Sequence, residues 1–236
     1  RPANGKRDGI FHAVHGGVWG KDSFVLKGHP RTGALMPVMT ELGPAATSGL
    51  EMPRLRAWGP DWSGNLFACN FNLRKVSRHI LHPEGASFRT VDSDLLVSDQ
   101  TDFHPTDVIE DERDGGSLLI ADTGGWYKIC CPTSRLMKPE VLGGIYRVRK
   151  AGARKAAAPI IASPATHNPA HLISLLDADT RAVRERTARR LIAMLDNSVP
   201  TMTQAIANTE RPLGQRLACI WTLTRMSGDA ARAAVR

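Results

Sequence analysis

The chain has 236 residues, of which 42% are hydrophobic, and its 31 Lys/Arg against 23 Asp/Glu give a formal net charge of +8. This composition is typical of a globular protein, and no run approaches ~18 consecutive apolar residues, which excludes a membrane-spanning helix. The four cysteines are too few for a disulfide scaffold.

Residues 1–149 show the pattern of antiparallel sheets. Residues 1–45 are rich in Gly, His and Pro and predict long loops with one strand. Beyond them, short apolar runs alternate with turn residues. Strands are expected at 49–50, 65–69, 75–81, 88–91, 106–109, 117–122 and 144–148.

These strands fall into two units, 46–97 and 102–149, each of roughly 45–50 residues, which is typical of consecutive β-propeller blades. Two blades do not close a ring. The sequence therefore predicts part of a six-bladed β-propeller.

The composition changes near residue 150, where Ala, Leu and Arg begin to dominate. Segment 150–166 is interpreted as a linker, and 167–236 as paired helices. Helices are expected over Pro169–Leu176, from Thr180 to about Leu195, from Pro200, and over Arg211–Met226. Aligning the second helix with the fourth sets Leu191 against Trp221 at a period of roughly 30 residues. This predicts an incomplete HEAT/ARM-like α-solenoid that docks a protein or the next domain.

The positive charge is concentrated in this helical part. Residues 1–150 carry 19 Lys/Arg and 17 Asp/Glu, whereas residues 151–236 carry 12 and 6. A basic helical segment can contact nucleic acid, but no nucleic-acid module accompanies it. We therefore expect solvated arginine-rich helix faces and no nucleic-acid partner.

Two neighbouring residues before an expected inner strand are candidate catalytic groups. His104 can act as a general base, a metal ligand or a cofactor contact, and Asp107 can orient it. In the alternative interpretation Asp107 caps a turn and His104 hydrogen-bonds a neighbouring loop.

The run from 121 to 134 is the second candidate. Its glycines allow sharp turns, Trp126 and Tyr127 offer a stacking platform, and Asp122 supplies a carboxylate. We expect these three residues to bind a substrate or cofactor, with a self-packed connection as the alternative.

The adjacent Cys130 and Cys131 are a candidate redox or disulfide pair. They can form a vicinal disulfide, coordinate a soft metal or remain unbonded thiols. Cys69 and Cys219 lie in apolar runs and are interpreted as core residues. The sequence has neither a CxxCH haem box nor zinc-ligand spacing, so no metal site is predicted.

Several segments resemble a known family. They are similar to the late blades of glucose/sorbosone dehydrogenase-type propellers and, more closely, to the membrane-bound dehydrogenase domain of PVC-type haem-binding proteins. In that group HEAT repeats and a c-type cytochrome module with CxxCH follow the propeller. The segments that carry the resemblance are 42–50, 64–67, 102–107, 107–108, 123–133 and 138–147.

The resemblance implies an exported bacterial protein, periplasmic or extracellular, that oxidises a sugar or related alcohol and passes electrons to a haem module outside this chain. For the full-length protein it implies pyrroloquinoline quinone or haem. Neither is supported here, because residues 103–106 lack the arginines that hold the quinone and CxxCH is absent.

The chain begins without Met and stops within an expected helix, so we expect a fragment of a longer protein. The alternative function is a non-catalytic carbohydrate- or protein-binding propeller, with the helical segment as a docking spacer.

Overall fold

The structure is a computed structural model that describes residues 8–19, 28–30, 33–112, 116–126, 138–153, 168–178 and 180–236. The chain divides into two compact units, Arg1–Ala158 and Pro159–Arg236. Within the described residues, the first unit contains nine strands in three antiparallel sheets and the second contains five short helices.

The three sheets have two, four and three strands, in the orders β1-β2, β3-β4-β5-β6 and β7-β8-β9. The strands are β1 Asp8–Ile10, β2 Thr40–Gly43, β3 Thr47–Glu51, β4 Leu66–Asn70, β5 Lys75–Glu84, β6 Ser87–Val97, β7 Pro105–Asp111, β8 Ser117–Asp122 and β9 Gly144–Val148. The strands expected beyond residue 45 are present, and the described part of residues 1–45 contains two strands where one was expected.

The longest pairing is the β5-β6 hairpin, whose register runs from Lys75 opposite Val97 to Glu84 opposite Ser87. Two residues connect the strands. The first of them, Gly85, has φ +59°, the left-handed conformation that tight hairpin loops require and that glycine adopts without steric cost.

Strand β4 of the four-stranded sheet is covered on both faces. Because successive residues of a strand point to opposite faces, alternate positions of β4 enter different cores. Phe67 and Cys69 pack in one cluster with Leu118 of the three-stranded sheet. Ala68 packs in another cluster with Ile10 of the two-stranded sheet. Every residue of β4 is consequently buried.

The helices of the second unit are short. They are α1 Pro169–Leu175, α2 Arg181–Ala193, α3 Val199–Ala207, α4 Leu213–Leu223 and α5 Asp229–Ala234. The Asn168 side chain caps α1 by accepting the Ala170 N–H at 3.0 Å, with Pro169 at the first helical position, where its missing N–H costs nothing. Thr180 precedes α2 as predicted, but its backbone carbonyl, not its hydroxyl, accepts the first helical N–H groups.

One apolar cluster holds the five helices together. Its buried members come from every helix and from the connections between them: Leu172, Ile173, Leu176, Ala188, Leu191, Val199, Met202, Ala205, Cys219, Leu223, Met226 and Ala231. In the described ranges no helix is long and apolar enough to cross a bilayer.

The fold class predicted from the sequence, part of a six-bladed β-propeller followed by a HEAT/ARM-like α-solenoid, is wrong. The described residues form three small antiparallel sheets of unequal strand number and only five short helices. A propeller repeats one four-stranded blade, and a solenoid stacks equivalent helix pairs. Local periodicity predicted the strands and helices but not how they assemble, so this structure belongs to a different overall class.

The alignment of Leu191 with Trp221 fails for a related reason. Leu191 is fully buried, whereas Trp221 is 67% exposed. The 30-residue offset thus matched a core position to a surface position.

Candidate functional site

The segment before β7 and the turn after β8 form a closed loop cluster. The Oδ1 atom of Asp122 accepts hydrogen bonds from the backbone N–H groups of His104 and Gly124, each at 2.8 Å. The His104 carbonyl accepts the Thr123 N–H at 3.2 Å. The structure therefore brings His104 and Asp122 together, but the contact is between the Asp122 carboxylate and the His104 backbone N–H, not the imidazole ring. The carboxylate holds the two segments of the loop cluster in place.

The side chains of the predicted catalytic pair have different surroundings. The His104 ring is buried, with its centroid 4.4 Å from that of Phe71. Asp107 is exposed, and its Oδ1 accepts the Val108 N–H at 2.9 Å. A Cβ on Gly49 would lie 2.5 Å from the Asp107 Cα, so the backbones of β3 and β7 nearly touch here. The Asp107 carboxylate thus acts on the backbone of its own strand.

Trp126 lies at the edge of the loop cluster with its side chain 53% exposed, and its indole N–H donates to the Pro139 carbonyl. The Lys138 ammonium pairs with Asp102 at 2.6 Å. The first contact fastens the glycine turn to the segment after it, and the second ties that segment to the one before β7. The other predicted binding residue, Tyr127, and the pair Cys130 and Cys131 lie outside the described residues.

Sequence reasoning missed a buried polar chain on the four-stranded sheet. Ser77 Oγ lies 2.8 Å from His79 Nε2, and His79 Nδ1 lies 2.8 Å from Asp92 Oδ1. The Asn70 amide donates to Ser77 Oγ at 2.8 Å. The only signal in the sequence is that Ser77 and His79 are two residues apart and thus share a strand face.

This connectivity of Ser77, His79 and Asp92 is that of a hydrolase triad, in which the serine must reach a substrate. Here Ser77 is 3% exposed and its oxygen already accepts the Asn70 N–H. The arrangement therefore satisfies polar groups in the core, as buried polar side chains require.

Asp92 joins two sheets. The Thr40 hydroxyl, on β2, donates to its Oδ2. Burial raises the pKa of Asp92, but hydrogen bonds from Thr40, Thr90 and His79 outweigh that effect and hold the pKa below its usual value. The ionised carboxylate thus fastens the two-stranded sheet to the β5-β6 hairpin.

A second carboxylate supports an unusual backbone turn. Glu110 accepts the N–H groups of Arg54 and Leu55 at 2.8 and 2.7 Å. Leu55 has φ +43°, a left-handed conformation that costs free energy in a residue with a branched side chain. The Glu110 carboxylate offsets that cost by binding both N–H groups.

The described thiols are buried. Burial, with a smaller effect of Asp107, raises the pKa of Cys69 to about 12. Burial raises the pKa of Cys219 to about 11, although Arg211 opposes the effect. Both cysteines are unpaired and act as core residues. In the described parts of the chain, no three His, Cys, Asp or Glu side chains are grouped as a metal site requires.

Helix α4 has two unlike faces. Cys219, Thr222 and Leu223 are buried. Leu213, Leu217 and Trp221 are 65%, 44% and 67% exposed. The spacing of four residues places these three side chains on one face of the helix. We call these three residues the α4 stripe.

An arginine cluster lies on the exposed surface of α2 and includes one arginine just beyond the end of α4. Glu185 accepts from Arg181 at 3.0 Å and lies 3.6 Å from Arg189. The hydrogen bond from Arg181, followed by the charges of Arg181, Arg189 and Arg225, lowers the pKa of Glu185. Two guanidinium groups of α2 therefore flank one carboxylate, and the charge of Arg225, just beyond the end of α4, also acts on it. We call these four residues the arginine cluster.

The comparisons with known proteins found no family model, no curated protein and no solved structure that matches this chain.

Proposed function

We propose that this chain is a non-catalytic binding module whose helical unit docks a protein. The observation that carries the proposal is the exposure of Leu213, Leu217 and Trp221 on one face of α4. Scattered exposed apolar residues are normal in proteins, but a contiguous row that includes a tryptophan is typical of a protein interface.

The α4 stripe is not needed to build the helical core. The other face of α4 already supplies Cys219 and Leu223 to the shared apolar cluster. Side chains the size of Trp221 bury about 150–250 Å² when covered and dominate the energetics of interfaces. A partner that covers the stripe would therefore gain most of its binding free energy there.

The candidate catalytic residues support the same choice. Asp122 is occupied by two backbone N–H groups, and Asp107 accepts from the next residue of its strand. Both carboxylates serve the loop geometry. Oxidation of a sugar or related alcohol stays a prediction of the family resemblance, and the described side chains favour the binding alternative.

A comparison of two α4 variants tests whether the stability of the helical unit depends on the α4 stripe. Trp221→Ala should leave the melting temperature of the helical unit nearly unchanged. Leu223→Ala, two residues away in the core, should cost about 3 kcal/mol because it leaves a cavity. Equal destabilisation by the two variants would show that Trp221 belongs to the fold and would overturn the proposal.

Selection from a random peptide phage library against the full chain tests docking itself. The expected result is a set of peptides whose binding is lost in Trp221→Ala and Leu217→Ala but kept in Val91→Ala, a control on an exposed apolar residue of β6. Peptides that bind the Trp221→Ala protein as tightly as the unchanged protein would contradict docking on the α4 stripe.

A further inference from the structure

We propose that the two-stranded sheet is an acid-released strap, which detaches from the four-stranded sheet while the remainder of the sheet unit stays folded. The strap consists of β1 and β2, Asp8–Ile10 and Thr40–Gly43. The proposal goes beyond docking on α4, because it assigns a pH-dependent conformational change to the other unit. Two observations carry it, the small apolar cluster beneath the strap and the charged residue that anchors it.

The apolar contacts beneath the strap are limited. Among the described residues, the cluster there has three buried members, Ile10 of β1 with Leu66 and Ala68 of β4. The cluster that joins the two larger sheets has nine. Because apolar stabilisation grows with the area that is buried, the strap is held more weakly than those sheets hold each other. Weakly held elements open separately from the rest of a fold.

Asp92 is the charged anchor of the strap. The Thr40 hydroxyl, on β2, donates to Asp92 Oδ2. A second link, from the Thr90 hydroxyl to the Met39 carbonyl beside β2, is 3.4 Å long. A hydrogen bond to an ionised acceptor is stronger than one between neutral groups, and a long one is weak. The charge on Asp92 therefore governs the polar part of the attachment.

The strap covers the sheet face that carries the buried polar chain. Ser77, His79 and Leu81 alternate along β5 and thus share one face. Leu81 packs against the cluster beneath the strap, and His79 is fully buried. The His79 Nδ1 lies 2.8 Å from Asp92 Oδ1. Protonation of Asp92 thus removes the negative charge that both Thr40 and His79 contact.

Two other carboxylates on the elements around Asp92 have partners of their own. On β6, Asp94 is paired with Lys75 at 2.8 Å. On β1, Asp8 accepts the Ala46 N–H at 2.7 Å. Neither of these contacts joins the strap to the four-stranded sheet through Asp92.

The remaining charged or titratable groups of these strands point away from Asp92 or lie further along the sheet. Successive residues of a strand point to opposite faces, so an odd offset from Thr40, His79 or Asp92 places a side chain on the far face. The side chains at such offsets are Glu41, Arg78, His82, Glu84 and Arg89. His12, after β1, packs edge-on against Phe88, four residues along β6 from Asp92. In the described part of the chain, His79 is therefore the titratable group in direct contact with Asp92.

The direction of the pH effect follows from the contacts of Asp92. Burial raises the pKa of Asp92, but the hydrogen bonds from Thr40, Thr90 and His79 together hold it below its usual value. A carboxylate whose folded pKa is lowered stabilises its contacts above its unfolded pKa, and that stabilisation is lost as the pH falls through the folded value. The strap is therefore held at neutral pH and released in acid.

Hydrogen–deuterium exchange of the full chain at neutral pH, followed at individual amides, tests the anchor. Asp92→Asn removes the charge, and the amides of the strap should exchange about fivefold faster while those of β4 keep their rates. Asp94→Asn is the matched control, because it makes the same change two residues away on β6, and it should leave the strap unchanged. Equal acceleration in the two variants, equal acceleration of β4, or no acceleration in Asp92→Asn would overturn the proposal.

Thr40→Val removes the donor on the strap and leaves the contact between Asp92 and His79 in place. This variant keeps the proposal testable if Asp92→Asn does not fold. The strap should again exchange faster than in the unchanged protein. Adding Thr40→Val to Asp92→Asn should produce no further acceleration, because both changes break the same hydrogen bond. Multiplied effects in the double variant would show that the two residues act separately and would contradict the role of Asp92 as the anchor.

The same exchange experiment across the acidic range identifies the group that releases the strap. With rates corrected for the intrinsic effect of pH on exchange, the strap of the unchanged protein should lose protection at a higher pH than β4. In Asp92→Asn the protection of the strap should stay constant over that range. A variant that keeps the pH dependence of the unchanged protein would show that another group titrates, and the assignment to Asp92 would be wrong.

Discussion

Three carboxylates of the sheet unit and one apolar helix face of the helical unit differ in whether the fold itself uses them. In the sheet unit, Asp122, Glu110 and Asp92 all accept hydrogen bonds from inside the fold. In the helical unit, Trp221 and Leu213 remain exposed although the core beneath them is complete. Exposed apolar side chains that the fold does not need are available to contact a partner.

Residue type alone does not distinguish a catalytic loop from a self-packed one. A histidine, an aspartate and an exposed tryptophan beside a glycine turn have the composition of a catalytic loop. Once Asp122 is bound to two backbone N–H groups, however, that loop is explained by its own folding.

The largest expected effect tests whether the loop cluster of the sheet unit has a structural role. A Cβ on Gly143 would lie 1.9 Å from the Asp122 carbonyl oxygen, a backbone atom held in β8. Gly143→Ala should lower the free energy of unfolding of the sheet unit by about 3 kcal/mol, since the loop must move. Chemical denaturation followed by tryptophan fluorescence measures the change.

Gly144→Ala is the matched control, because a Cβ there would meet only the Tyr146 ring, at 3.7 Å or more. It should change the free energy of unfolding by less than about 1 kcal/mol. If the two glycine variants have the same free energy of unfolding, the loop accommodates a methyl group at position 143. The loop cluster would then not have the structural role assigned to it.

An intermediate effect is expected at the left-handed turn. Glu110→Gln removes the charge and one of the two acceptor oxygens that bind Arg54 and Leu55. The expected loss is about 2 kcal/mol, typical of hydrogen bonds to a charged group. Glu84→Gln, on an exposed carboxylate at the hairpin end, should be neutral in the same denaturation experiment, and an equal loss there would refute the role of Glu110.

The smallest of these effects depends on pH. Because the folded pKa of Asp92 is lowered, the carboxylate stabilises the fold above its unfolded pKa of about 3.9, and this stabilisation is lost as the pH falls through the folded value. Asp92→Asn should cost about 1 kcal/mol at neutral pH, since the carboxylate is partly exposed.

Thermal melts of Asp92→Asn and the unchanged protein across the acidic range test this sign. The difference in melting temperature between the two proteins should shrink as the solution is acidified. A difference that grows toward low pH would mean that Asp92 is not the ionised link between the two sheets.

Strands and helices could be predicted because their signals are local. The apolar run at 75–81 and the position of Thr180 before α2 are local features of the sequence. Where a helix stops is harder to predict. The second helix was expected to run to about Leu195, but α2 ends at Ala193, and Leu195 has φ +49° and is exposed.

The assembly and the buried polar chain of Ser77, His79 and Asp92 could not be predicted, because they depend on contacts between residues far apart in the chain. His79 is buried in the four-stranded sheet, which packs against β1 and β2. Those two strands come from a region that was expected to form loops. The Thr40 hydroxyl donates to Asp92, which lies 52 residues away in the sequence. A helical period shows that α4 has an apolar row. It does not show which of its two rows, the one with Trp221 or the one with Leu223, a neighbour will cover.

Hydrogen–deuterium exchange of the full chain, with and without a selected peptide, tests the central claim most directly. The account predicts slower exchange in α4, and unchanged exchange in the loops at 102–104, 122–126 and 138–143. Protection confined to those loops would place binding in the sheet unit and would contradict the assignment of the α4 stripe as the docking surface.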